Sequence, residues 1–169
     1  MGTGKTSVGR ELAKKNKLHF IDMDELIELK EKRCIADIFA RNGEPYFRRL
    51  ENRVLKEVAQ EDNFVVGCGG GIVLKEDNIK IMKKTGLIIC LSAKCQTILK
   101  RVSGSTQRPL LNVGAPKERI ELLLKLRSPY YGLADKTIDT SKLSVKEVVD
   151  KIIKITSKSK RFKAKAKNE

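Results

Sequence analysis

Tryptophan is absent from the 169 residues, aromatics make up 5% of them, and histidine occurs once, at His19. One histidine at the start of an apolar run reads as a polar strand end, which removes Ser-His-Asp and Cys-His catalysis and any multi-histidine metal site. The four cysteines, Cys34, Cys68, Cys90 and Cys95, contain no C-x-x-C pair. Cys68 and Cys90 lie inside apolar runs, so buried reduced thiols are expected rather than disulfides or metal ligands. No apolar run approaches the ~20 residues of a membrane span, and no charged segment followed by an apolar one resembles a signal peptide. A cytoplasmic protein without a membrane partner is expected. Few aromatics also leave no platform on which nucleic-acid bases could stack.

Positive charge is what the chain has in excess: 36 Lys and Arg against 21 Asp and Glu, a net +15. Clustered cations release counterions from polyphosphate backbones, but much of this excess falls in the last stretch, from Lys154 to Glu169. That stretch has no sustained apolar face, so residues 156–169 are expected to form a basic, disordered tail with no specific nucleic-acid partner. Residues 1–155, rich enough in apolar residues for one core, form the single domain, and a monomer is expected.

Within that domain, Val8, Leu12 and Ala13 put an apolar face on a helix over 6–16, and His19-Phe20-Ile21 reads as a strand ending at Asp22 and Asp24. Phe64-Val65-Val66 and Leu87 to Leu91 are continuous apolar runs, as expected of parallel strands covered by helices on both faces. Helical patterns fill the intervals: Met23 to Lys30, Ile35 to Asn42, Tyr46 to Gln60, Lys75 to Lys84, Lys94 to Val102 and Lys117 to Ala134. Thr137-Ile138-Asp139 reads as a last strand. Ser144 caps a final helix whose Val145, Val148, Val149, Ile152 and Ile153 keep one face apolar. Strands alternating with helices predict a doubly wound α/β fold.

Three stretches carry polar chemistry. Gly2-Thr3-Gly4-Lys5-Thr6-Ser7 is the second half of a phosphate-binding P-loop, in which backbone amides cradle phosphates and the hydroxyl meets Mg2+. Gly67-Cys68-Gly69-Gly70-Gly71 follows a strand with more glycines than a plain turn needs, so backbone can approach a ligand there. Residues 103–116, small, polar and proline-punctuated around Arg108, have the composition of a mobile lid.

Read in order, Gly-Thr-Gly-Lys-Thr at 2–6, Ile-Asp-Met-Asp at 21–24, Gly-Glu at 43–44, Phe-Arg-Arg-Leu-Glu at 47–51, Gly-Gly-Gly at 69–71, Arg-Pro-Leu-Leu at 108–111, Arg-Ser-Pro-Tyr-Tyr at 127–131 and Ala-Asp at 134–135 resemble the shikimate kinase family. The resemblance runs from Met1 to about Ile155. It implies a P-loop NTPase-like kinase that transfers the ATP γ-phosphate to the 3-hydroxyl of shikimate, in the route to aromatic amino acids. By the same resemblance Lys5 and the amides of Gly2 to Ser7 hold the ATP phosphates, with Lys5, Asp24 and Arg108 catalytic. Thr6 ligates Mg2+ with Asp22 assisting, and Asp24 is the base on the attacking hydroxyl. Arg48 and Arg127 clamp the substrate carboxylate, Gly69, Gly70 and Gly71 present amides to the ring hydroxyls, and Phe39 and Phe47 pack against the ring. Arg108 closes over the phosphates and Arg101 lies along the adenine.

Taken singly, Asp22 reads equally as a helix N-cap and Arg48 or Arg127 as solvated residues, and Asp139-Thr140-Ser141 reads as a turn or as the edge of the adenine pocket. The family's pattern begins with a central strand that this sequence does not contain, so Met1 is expected to be an internal methionine of the P-loop and the sheet to be split. Two other functions remain open at this point: a related kinase for another small hydroxy-acid such as gluconate, and an inactive kinase fold that binds polyanions.

Overall fold

Four short parallel strands alternate with seven α-helices in the computed structural model, which describes residues 2–102 and 116–158. In chain order these are α1 (Lys5–Asn16), β1 (His19–Asp22), α2 (Met23–Glu31), α3 (Ile35–Val58), β2 (Phe64–Gly67), a 3-10 turn (Ile72–Leu74), α4 (Glu76–Thr85), β3 (Ile89–Ser92), α5 (Cys95–Val102), α6 (Pro116–Tyr131), β4 (Lys136–Asp139) and α7 (Val145–Lys158). The fold is α/β.

Parallel pairing puts strand ends side by side. β1 lies on β2 from His19 against Phe64 to Asp22 against Gly67. β3 lies on β4 from Ile89 against Lys136 to Ser92 against Asp139. Asp22 and the glycine turn therefore lie together at the C-terminal ends of β1 and β2, where ligands bind in open α/β sheets. The two pairs form separate two-stranded sheets, as expected for a split sheet. One expectation fails here: β2 and β3 are only half-buried, and of the strand residues only Ile138 is buried. A strand with one paired neighbour keeps an open edge, and its apolar residues are not enclosed on all sides.

Burial is concentrated in the helices. Met23 and Ile27 of α2 and Ile38, Leu50 and Val54 of α3 form one cluster with Ile72, and Val8 of α1 joins Ile138 and the Val148, Val149 and Ile152 face of α7 in a second. Each such side chain taken fully out of water contributes roughly 1.5–3 kcal/mol. A third cluster joins Ile98 and Val102 of α5 to Ile120 of α6.

Local chemistry sets the helix ends. Asp22 caps α2, its Oδ1 accepting the Asp24 N–H at 3.0 Å. Ser144 and Glu147 form a reciprocal box at the start of α7: the Ser144 N–H donates to Glu147 Oε2 at 2.8 Å, and the Glu147 N–H donates to Ser144 Oγ at 3.3 Å. The helices expected at Ile35 to Asn42 and Tyr46 to Gln60 abut as one element, kinked at Gly43, whose φ of 76° no helix interior adopts. β3 starts at Ile89 rather than Leu87, because the Ile88 N–H is taken by Asp135 Oδ2 at 2.8 Å. The helix expected to reach Ala134 stops at Tyr131, just before Gly132.

Residues 156–158, expected in the tail, continue α7, where the Thr156 and Ser157 hydroxyls donate to the carbonyls of Ile153 and Lys154. Pro116, expected at the end of the lid, opens α6, a helical position that needs no amide hydrogen. The rest of the expected lid, with Arg108, and the tail beyond Lys158 lie outside the described residues. No described helix is long and apolar enough to cross a membrane. All four cysteines are free; Cys68 and Cys90 are half-buried rather than buried. Loss of hydration around the sulfur, with the Glu51 charge nearby, pushes the Cys68 thiol up to about 12 and keeps it protonated.

Candidate active site

The phosphate loop is shaped by Gly4, whose φ of 90° a side chain would strain, and α1 begins at the next residue, Lys5. No acidic residue lies in the first turn of α1, so its unpaired amides and positive dipole end remain open to an anion. Residues 2–8 form one wall of a cleft of about 350 Å³; Arg101, Thr140, Leu143, Val145 and Val148 line the rest. Beside this cleft the Thr6 hydroxyl donates to Asp22 Oδ2 at 2.9 Å. Asp22 thus serves two ends at once, capping α2 with one oxygen and meeting the phosphate loop with the other.

Asp24 sits two residues further on, facing the glycine turn. A methyl group on Gly69 would lie 3.0 Å from Asp24 Oδ1 and 3.4 Å from Glu51 Oε1, and one on Gly71 would collide with the Arg48 guanidinium. Only glycine allows the backbone this close to so many charges. Arg48 reaches there along α3, its Nη1 donating to Glu51 Oε2 at 2.7 Å and its Nε and Nη2 to Glu44 Oε1 at 3.1 and 2.8 Å. A guanidinium has five N–H donors, so two stay available to a ligand. From the other side, α6 brings buried Arg127 and, one turn later, Tyr131, whose hydroxyl donates to the Gly70 carbonyl at 3.0 Å.

Burial is the first cause that raises the Asp24 pKa above its ordinary 3.8, and the nearby charge of Asp22 is the second; Lys5 pulls the other way. The acid is therefore a better proton acceptor than a free carboxylate. Glu51, only 1% exposed, is also pushed up by burial while Arg48 and Arg127 oppose the shift.

The structure thus brings Thr6, Asp22, Asp24, Gly69–Gly71, Arg48 and Arg127 to one end of the strands. Phe47 packs in the core at 4% exposure, its ring 4.9 Å from that of Phe39 and 5.1 Å from the Arg48 guanidinium. The Arg101 guanidinium donates to the Thr140 carbonyl at 2.8 Å, at the far wall of the phosphate cleft. Glu51, Tyr131 and Leu143 also belong to this end of the molecule and went unnoticed as site residues in the sequence. Glu51 had a signal: a carboxylate one turn after Arg48, on the apolar face of α3. Leu143 had none, since its place depends on the fold that sets α7 beside α1.

Known proteins resemble this chain over nearly its whole length. The family model for shikimate kinase matches residues 1–157. The shikimate kinase of Thermoanaerobacter pseudethanolicus is 44% identical over 154 residues, 91% of this chain and 90% of that protein. That of Thermodesulfovibrio yellowstonii is 46% identical over 154 residues, 91% and 89% of the two chains. Among solved structures, shikimate kinase from Acinetobacter baumannii in complex with shikimate superposes with a TM-score of 0.90 at 35% identity, over 95% of this chain and 90% of that one. The Bacteroides thetaiotaomicron shikimate kinase gives 0.85 at 29% identity, over 93% and 94%. Sequence and fold agree from the phosphate loop to the last helix, and the chain belongs to the shikimate kinase family.

Proposed function

We propose that this chain transfers the γ-phosphoryl group of ATP to the 3-hydroxyl of shikimate, with Asp24 as the base. The observation that carries the assignment of the base is the position of Asp24: its carboxylate feels Lys5 and Asp22 on the phosphate side and faces Gly69 on the other. It is an ATP-dependent kinase with a small-molecule substrate, and the family match gives no support to a gluconate kinase or to an inactive polyanion binder.

In this reading the amides of Gly2 to Ser7 and the Lys5 ammonium hold the β- and γ-phosphates, which costs no reorganisation because the loop is already formed. Arg101 flanks the adenine beside Leu143, and Arg108 closes over the phosphates. Shikimate lies across the glycine turn, its carboxylate between Arg48 and Arg127, its ring against Phe39 and the Phe47 edge, its hydroxyls toward Gly69, Gly70 and Gly71. Asp24 takes the proton of the 3-hydroxyl as that oxygen bonds to the γ-phosphorus, and the bond from phosphorus to the ADP oxygen breaks in line. Positioning and charge neutralisation supply most of the rate, as phosphoryl transfer requires.

Thr6 and Asp22 fit Mg2+: both are hard oxygen donors, 2.9 Å apart beside the phosphate cleft, and that ion takes few protein ligands when phosphates and water complete its shell. When bound there it neutralises charge on the β- and γ-phosphates. We place the protein in the cytoplasm as a monomer, with residues 1–155 as the kinase domain and no nucleic-acid partner. The test is a coupled ADP-release assay with shikimate, with gluconate and with no acceptor. ADP release that depends on shikimate alone is the expected result; equal release with all three would overturn the assignment.

A further inference from the structure

Thr140, at the end of β4, is 2% exposed and carries the most heavily used hydroxyl among the described residues. Its Oγ1 lies 3.1 Å from the carbonyl of Thr3 in the phosphate loop and 3.0 Å from the carbonyl of Ser92 at the end of β3. The Ser92 carbonyl already accepts the Thr140 N–H at 2.8 Å, so the single hydroxyl proton is best used on Thr3. The same oxygen accepts from Arg101 Nη1 at 3.0 Å, while Arg101 Nη2 donates to the Thr140 carbonyl at 2.8 Å. One small side chain thereby ties the phosphate loop, the ends of β3 and β4, and the arginine of the opposite cleft wall.

The loop needs such a tie. Thr3 precedes Gly4, whose φ of 90° suits glycine alone, and the carbonyl of Thr3 fixes the peptide plane whose amide belongs to Gly4. Turning that plane would turn one of the donors aimed at phosphate. We propose that Thr140 is a positioning residue for nucleotide: it orients the Thr3–Gly4 peptide for the phosphates and fixes Arg101 for the base, without touching the substrate acid. The proposal rests on the reading of the cleft as the nucleotide site.

The prediction is a split between ligands. Thr140→Val keeps the shape and removes the hydroxyl; it weakens MgADP binding about tenfold, the loss expected for a buried hydrogen-bond acceptor left without its donor, and leaves shikimate binding unchanged. Thr140→Ser restores MgADP affinity. Calorimetric titration of each ligand into the parent chain and both variants, with a melting curve for each, provides the readout, and Thr140→Ala replaces the valine variant if that one does not fold. Equal MgADP affinity in the parent and Thr140→Val, or parallel losses for both ligands that serine does not rescue, would overturn the positioning role while leaving the kinase assignment intact. Absence of MgADP binding in the parent chain would overturn both.

Discussion

Asp24 carries two opposed demands at the scale of a single residue. Because burial and the Asp22 charge raise its pKa above 3.8, the folded state holds that proton more tightly than the unfolded chain does. The stability this contributes is present in acid and is lost as pH climbs from 3.8 through the raised folded value. A base must shed the proton to act, so kcat/KM for shikimate rises over the same window. The acid limb of the rate profile should therefore sit above 3.8, and a limb at that ordinary value would contradict the burial argument. Arg48 and Arg127 answer to a different test. Alanine at either should raise the shikimate KM, at a cost of about 2–5 kcal/mol, because the substrate carboxylate loses one of two cations. The ATP KM should hardly move; equal losses for both substrates would show that Glu51, left buried without Arg48 or Arg127, had destabilised the fold instead.

At the level of elements, the glycine turn between β2 and α4 is held from two sides. Tyr131 of α6 donates to the Gly70 carbonyl, and Asn78 of α4 donates through Nδ2 to the Ile72 carbonyl at 2.9 Å while its Oδ1 accepts from Asn52 of α3 at 2.7 Å. A methyl group at Gly71 has no room, since the turn cannot retreat and the Arg48 guanidinium is tied to Glu44 and Glu51. Gly71→Ala should therefore displace Arg48, cost about 1–3 kcal/mol of stability and weaken shikimate binding more than nucleotide binding. Unaltered shikimate affinity would mean that Arg48 does not need its present position. The elements themselves were largely readable: α7 announced itself by apolar spacing and Ser144, and Asp22 by its place before an amphipathic run. The pairing of Asn52 with Asn78, 26 residues apart, and the tie from Thr140 to Thr3, 137 apart, were not, because they depend on tertiary contact and have no local pattern. Local rules also split α3 at Gly43-Glu44-Pro45, and the backbone does leave the helical conformation there, at Gly43 with its φ of 76°.

For the whole molecule, apolar continuity in β2 and β3 led to an expectation of strands enclosed on both faces, whereas the described residues leave them half-buried in two separate pairs. Composition reports what a strand would bury, not how many neighbours it has. Stability should accordingly be uneven: amides of α3, whose Ile38, Leu50 and Val54 lie in the largest cluster, should exchange most slowly, and alternate amides of β2 and β3 should exchange much faster. Uniform protection across strands and α3 would contradict this division. The central claim is narrower, that Asp24 activates the acceptor oxygen between a phosphate loop and a glycine turn that are both already formed. The measurement that tests it most directly is single-turnover transfer of labelled γ-phosphate from ATP to shikimate by the parent chain and by Asp24→Asn, with binding of both ligands measured alongside. The account predicts that Asp24→Asn binds both ligands, melts no lower at pH 7 and transfers phosphate about 10²–10⁴ times more slowly; transfer at the parent rate with both ligands bound would contradict it.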